Sequence, residues 1–341
     1  MKNGPARFEF YFQKIEALLQ QASMDVNPAL YLYNNDARTP LFMLEALTRM
    51  YASLHNKKIF TTLNEDFKAL EDSIGMIDYY DNYAKEFLIH PSVPVHIREY
   101  MQAQMREKVQ HLNDVLLNRG WVGNAAVRLN KMRKKLQDVT WMKAKKEAKE
   151  IKKFYGEEIK EIKDFVKEMD GNFSEMEAHV HELRRDLRWL SIYPQALQGM
   201  IQLKESEPAS VFLQKYLVPE IVQSKFNVMP AAGNNKRLLL FDKNAFYALS
   251  WMIAETGKLK DRGLQFFAVS EALQQTEKLT KEDAYQKSFE ILGAEKDTVT
   301  KMLHYASEIT RQFIKEKNLE KMVQQAVPSK KPLALKIAST I

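Results

Sequence analysis

Apolar residues recur at three- and four-residue steps along most of the 341-residue chain, the spacing that gathers them on one face of a helix. Phe8, Phe12, Ile15, Leu18 and Leu19 form the first such stripe, over 8–21. Pro28 and the Asn34-Asn35-Asp36 cluster interrupt it. Thr39-Pro40 then reads as a cap followed by proline at the first helical position, opening a helix over 39–54. Leu63, Phe67, Leu70 and Ile74 predict a helix that Gly75 stops or bends, with the next over 78–87. The two prolines of His90-Pro91-Ser92-Val93-Pro94 make a stiff turn before a long helix over 95–118. Residues 124–170 carry a helical pattern almost throughout, closed by Asp170-Gly171-Asn172. Ser174, with Glu177 three residues on, has capping-box spacing and predicts a helix through His181 to Tyr193, where Pro194 kinks or ends it. Segment 226–242 contains Pro230, Gly233-Asn234-Asn235 and the run Leu238 to Phe241, and reads as a short hairpin or as a loop entering a helix. Helical patterns return over 246–256, 263–276, 281–292 and 297–323. The expected fold class is all-α.

Two stretches resemble each other, FKALEDSIGMIDYYDNYAKEF from Phe67 and YALSWMIAETGKLKDRGLQFF from Tyr247. Each reads as a helix ending at a glycine, Gly75 or Gly257, followed by an acid, Asp78 or Asp261, that opens a new helix. A repeated helix-turn-helix unit implies two pseudo-symmetric antiparallel helical bundles, over 1–170 and 171–326, with a loosely docked tail over 327–341.

Composition narrows the chemistry. Cysteine is absent, which excludes disulfide scaffolds, thiolate metal sites and thiol catalysis. The histidines make no H-E-x-x-H or E-x-x-H pattern, and no glycine-rich phosphate loop occurs. Asp78-Tyr79-Tyr80-Asp81 is read as helix capping, not as a magnesium–diphosphate site. The expectation is a non-enzymatic protein with no cofactor and no metal site. Charged residues break the apolar stretch at the N-terminus, and no run approaches the roughly 18–20 apolar residues of a membrane span, so a cytoplasmic location is expected.

With 51 Lys and Arg against 44 Asp and Glu, the net charge is +7. The excess is concentrated. From Arg128 to Lys153 eleven cations face three acids; Arg128, Lys131, Arg133, Lys134, Lys135, Lys145 and Lys149 belong to this stripe, which would draw polyanions by counterion release. The rival reading is a solvated helix face supported by Glu–Lys pairs. In HVHELRRDLRWLSIY, His181, Arg184 and Arg188 stand at i, i+3 and i+7 and share one helix face, where two guanidinium forks and an imidazole could hold phosphate oxygens.

At this motif the sequence resembles the conserved-histidine α-helical domain (CHAD) family, whose repeats open with H-x-x-R-x-x-x-[KR]-x-x-R. His181, Arg184 and Arg188 match its first three positions, and Ser191 stands at the fourth. In the first repeat Asn35 replaces the histidine, Arg38 follows, and Leu41, Phe42 and Met43 replace the cationic row. The resemblance implies two four-helix bundles around a basic cavity that binds inorganic polyphosphate, here on His181, Arg184, Arg188, Arg38 and the lysine-rich stripe. The alternative is a helical scaffold or adaptor whose divergent face binds a protein partner. Nucleic acid is not the expected partner, since no DNA-reading helix-turn-helix or aromatic stacking signature accompanies the charge.

Overall fold

The first apolar stripe is buried as its spacing requires: in the computed structural model Phe8, Phe12, Ile15 and Leu19 of α1 (Asn3–Ala22) are all in the core. Residues 3–55, 57–123, 125–205, 211–233 and 235–324 are described; the tail expected over 327–341 lies outside them. A short α2 (Pro28–Asn34) follows, its first turn capped by the Asn27 side chain, so Pro28 opens a helix instead of interrupting one. Then come α3 (Arg38–Leu54), α4 (Lys57–Ile89) and α5 (Val95–Asn118). Of these, α3 packs on α4 and α4 on α5. The basic region forms α6 (Ala125–Gln137) and α7 (Ala144–Glu168), and a six-residue π-helical segment (Met176–His181) leads into α8 (Glu182–Ala196). The chain then runs through β1 (Ile201–Lys204), the short helices α9 (Val211–Gln214) and α10 (Pro219–Val222), and β2 (Leu239–Asp242). It closes with α11 (Lys243–Thr276), α12 (Lys281–Ile291), α13 (Thr298–Lys315) and α14 (Asn318–Gln324).

The molecule is an all-α multi-helix bundle with one small sheet. That sheet corrects the reading of 226–242. The apolar run does form a strand, but β2 pairs in parallel with β1, with Leu239 opposite Ile201, instead of folding back as a hairpin. No pattern marked residues 201–204 as a strand. The sheet forms because Ile201, Leu239 and Phe241 have core to enter on one face.

Two further expectations fail for related reasons. Gly75 and Gly257 do not stop their helices: α4 and α11 run through them, with Ile74 and Ile77 buried on either side of Gly75. The helix expected over 124–170 is instead broken between α6 and α7, where Trp141 turns inward against Phe8, Tyr51 and Phe60. Its indole Nε1 donates to the Leu136 carbonyl at 3.0 Å, satisfying the end of α6.

One hydrophobic core runs from α1 through α7 and α8 to β2, α11 and α13, crossing residue 170 without a seam. A smaller core joins α4, α5, α11 and α12. At the junction of the two sequence halves lies a buried polar clasp. Arg7 donates to Glu147 Oε1 at 3.1 Å, to the Tyr51 hydroxyl at 2.6 Å and to the Leu197 carbonyl at 3.1 Å, while Tyr51 donates to the same carboxylate oxygen at 2.7 Å.

Candidate functional site

A cleft of about 2570 Å³ opens between α3 and α4 on one side and α8 and α11 on the other. Each side places an arginine against a mid-helix glycine. A β-carbon on Gly75 would stand 2.7 Å from Arg38 Nη2, and one on Gly257 would stand 2.9 Å from Arg184 Nε. Glycine is needed at both places for the close approach of a guanidinium, not for a turn. The helix tolerates it at roughly 1 kcal/mol relative to alanine.

The two arginines have different surroundings. Arg38 is held by two acids, with Nε 2.6 Å from Glu71 and Nη1 3.0 Å from Asp78. Arg184 makes no ion pair with any described residue, and its Nε is buried without a hydrogen-bond partner. Arg188, one turn further along α8, also lacks a carboxylate partner among the described residues and lies 4.4 Å over the Phe42 ring. Burial lowers the Arg184 pKa. Burial, followed by the charges of Arg184 and Arg38, brings that of Arg188 down to about 10. Both remain cations at neutral pH, held close to like charge.

His181, at the end of the π-helical segment, also faces the cleft. Burial, then Lys260, Arg184 and Arg185, lower its pKa to about 4. Its 3.7 Å approach to Glu177 is therefore a contact between a neutral imidazole and a carboxylate, not an ion pair. The neighbouring His179 has a different task, accepting the backbone N–H groups of Ser174 and Glu175 at 3.1 and 3.3 Å. The segment is thus capped by His179 and not by the expected Ser174–Glu177 box.

The cleft is not uniformly basic. Cationic and acidic side chains line it in equal number. Glu45, 3% exposed and with Oε1 unpartnered, has its pKa raised to about 8 by burial and then by Glu71, so it is largely protonated at neutral pH. Phe42, Trp189, Ile253 and Trp251 add apolar surface.

The structure thus gathers His181, Arg184, Arg188 and Arg38 around one cleft and leaves the stripe elsewhere. Arg133 spends its donors on Glu9 and Glu16 of α1, at 2.8–3.1 Å. Arg128 pairs with Asp66 at 2.7 Å and stacks over Trp121. Lys131, Lys134, Lys135, Lys145 and Lys149 are exposed along α6 and α7, and none lines the cleft. Sequence reasoning missed Lys260, which lies three residues after Gly257 and lines the cleft wall. The sequence carries the signal: Asp78 holds the same offset of three from Gly75, whereas Asp261 stands four residues after Gly257.

Among the described residues no cluster of three or more His, Asp or Glu side chains is placed to hold a metal ion, and no helix is long and apolar enough to cross a membrane. No family model, curated protein or solved structure matches the chain.

Proposed function

We propose that the chain is a divergent CHAD-like protein of two related helical halves, and that it binds a phosphate-rich anion in the cleft without catalysing a reaction. The observation that carries this reading is the uncompensated pair Arg184 and Arg188. Two partly buried guanidiniums, Arg184 disfavoured by burial and Arg188 by burial and then by Arg184 and Arg38, stand beside a histidine kept neutral by burial and by Lys260, Arg184 and Arg185, and a bound anion would relieve the electrostatic cost of this site. The recurrence of arginine against mid-helix glycine supports the relatedness of the halves. The exposed lysines of α6 and α7 lie apart from the cleft and act at long range, raising the rate of encounter.

Replacing Arg184 and Arg188 together by Ala tests the site. Charge-assisted hydrogen bonds contribute roughly 1.5–3 kcal/mol each before screening, so affinity for inorganic polyphosphate falls at least about tenfold at moderate salt. The matched double variant Lys145→Ala with Lys149→Ala removes the same formal charge from the stripe and has a smaller effect, which salt erases. Equal losses in the two variants would mean that net charge alone matters.

A second reading, a scaffold that docks an amphipathic protein segment, is favoured by one feature: the balanced charge and aromatic lining of the cleft. It gains the case if the unaltered protein binds no polyphosphate even at low salt.

A further inference from the structure

We infer that the cleft takes a compact phosphate anion, of the size of triphosphate, seated against α8 and α11, and not an extended polyphosphate spanning both halves. This rests on the anion-binding reading above and adds the class of ligand.

The argument comes from comparing the two arginine–glycine pairs position by position. Four residues before Gly75 and three after it stand Glu71 and Asp78, and both grip Arg38. At the same offsets from Gly257 stand Ile253 and Lys260, and both line the cleft. One backbone arrangement therefore carries opposite electrostatics: two acids of α4 consume Arg38, while an apolar residue and a further cation of α11 leave Arg184 without an ion pair. Lys260 has Asp261 beside it at 2.7 Å, but Arg184 and Arg188 have no such partner.

The favourable surface ends abruptly. Arg184 and Arg188 are separated by one helical turn, a rise of about 6 Å along the axis. Beyond Arg188 comes the Phe42 ring, which lies under both Arg188 at 4.4 Å and Arg38 at 5.3 Å and stands as an apolar divider. On its far side a polyanion would meet Glu71 and Asp78, two acids against the single Arg38, whose Nε and Nη1 they already hold, and Asp72 paired with Lys68. In a partly buried wall such like-charge encounters are screened less than in open water. Lengthening the ligand past Arg188 toward α3 and α4 adds repulsion and reaches only cations already engaged, Lys68 by Asp72 and Arg49 by the Tyr193 hydroxyl.

The experiment titrates the full chain with inorganic triphosphate and with long-chain polyphosphate at physiological ionic strength. It follows the His181 imidazole NMR signals, which report the cleft and not the lysine stripe. Affinities expressed per phosphate are expected to agree within about threefold. In the double variant Glu71→Gln with Asp78→Asn, which frees Arg38 while keeping side-chain shape, the long chain is expected to gain at least about tenfold over triphosphate. If the unaltered protein already prefers the long chain tenfold or more per phosphate, and Arg38→Ala abolishes that preference, the compact-ligand inference falls while anion binding stands. That arm holds even if the Glu71/Asp78 variant does not fold. If neither anion moves the His181 signals, both readings fall together.

Discussion

Arg184 and Arg188 keep two positive charges one turn apart in a wall that also holds His181, and the histidine answers by staying neutral. Its pKa of about 4 in the free cleft lies below the ordinary value near 6.5, owing to burial and the surrounding cations. An anion seated on the arginines cancels that repulsion and raises the His181 pKa toward its ordinary value. Between the two values the complex holds more protons than the free protein, so binding takes up protons and affinity rises as pH falls from about 7 toward 5. The free protein behaves oppositely in the same window: the unfolded chain accepts a proton that the folded cleft refuses, so acidification through pH 6.5 toward 4 removes stability until an anion restores it. Titration of the ring by NMR, with and without triphosphate, measures both pKa values. His181→Gln, which keeps a hydrogen-bond donor but does not titrate, flattens the histidine-dependent part of the affinity profile. An unchanged profile in that variant would assign the pH dependence to the ligand's own protonation.

At the scale of single elements, the mid-helix glycine of α11 can be tested against the usual helix rules. Alanine is the better helix former by about 1 kcal/mol, and α11 needs no turn at Gly257. Yet an added β-carbon would come within 2.9 Å of Arg184 Nε and force the guanidinium aside. Gly257→Ala should leave the melting temperature unchanged or slightly raised while weakening anion binding several-fold. Stability and binding moving in opposite directions distinguish a positioning role from a packing one. The same residue shows where sequence reasoning stopped. The amphipathic spacing of α1, α5, α7 and α12 made those elements legible, because burial of one stripe is a local property. Isolated glycines at 75 and 257 predict breaks, and only the arginine packed against each from another helix explains their place inside α4 and α11. The Arg184–Arg188 face was legible from helical spacing alone. That Arg38 would be consumed by Glu71 and Asp78 was not, since it depends on how α3 meets α4. Trp141 follows the same logic, because its burial is decided by Phe8, Tyr51 and Phe60, which are far away in sequence.

For the molecule as a whole, the clasp of Arg7, Tyr51 and Glu147 is the most sensitive point. Arg7 and Glu147 are each 3% exposed, and their bonds connect α1, α3 and α7 to the chain just after α8. Removing one partner of such a buried pair leaves an uncompensated charge and costs about 3–5 kcal/mol. Glu147→Ala should therefore shift the denaturant midpoint strongly, and because the core crosses residue 170 without a seam, the protein should unfold in one transition. Two resolved transitions, only one of them shifted, would show that the halves fold independently.

The contact between Arg184 and Gly257 also limits how the sequence can drift. Neither residue is free to change alone: a side chain at 257 evicts the guanidinium, while loss of the arginine leaves a glycine weakening the middle of a 34-residue helix for no return. Among relatives the two positions should therefore be inherited as a pair, arginine with glycine or neither. Arg38 and Gly75 obey the same rule, since a β-carbon at 75 would stand 2.7 Å from Nη2 and 3.2 Å from Cζ of Arg38. A lineage that has given up the anion should betray it first at position 257, by the arrival of a better helix former.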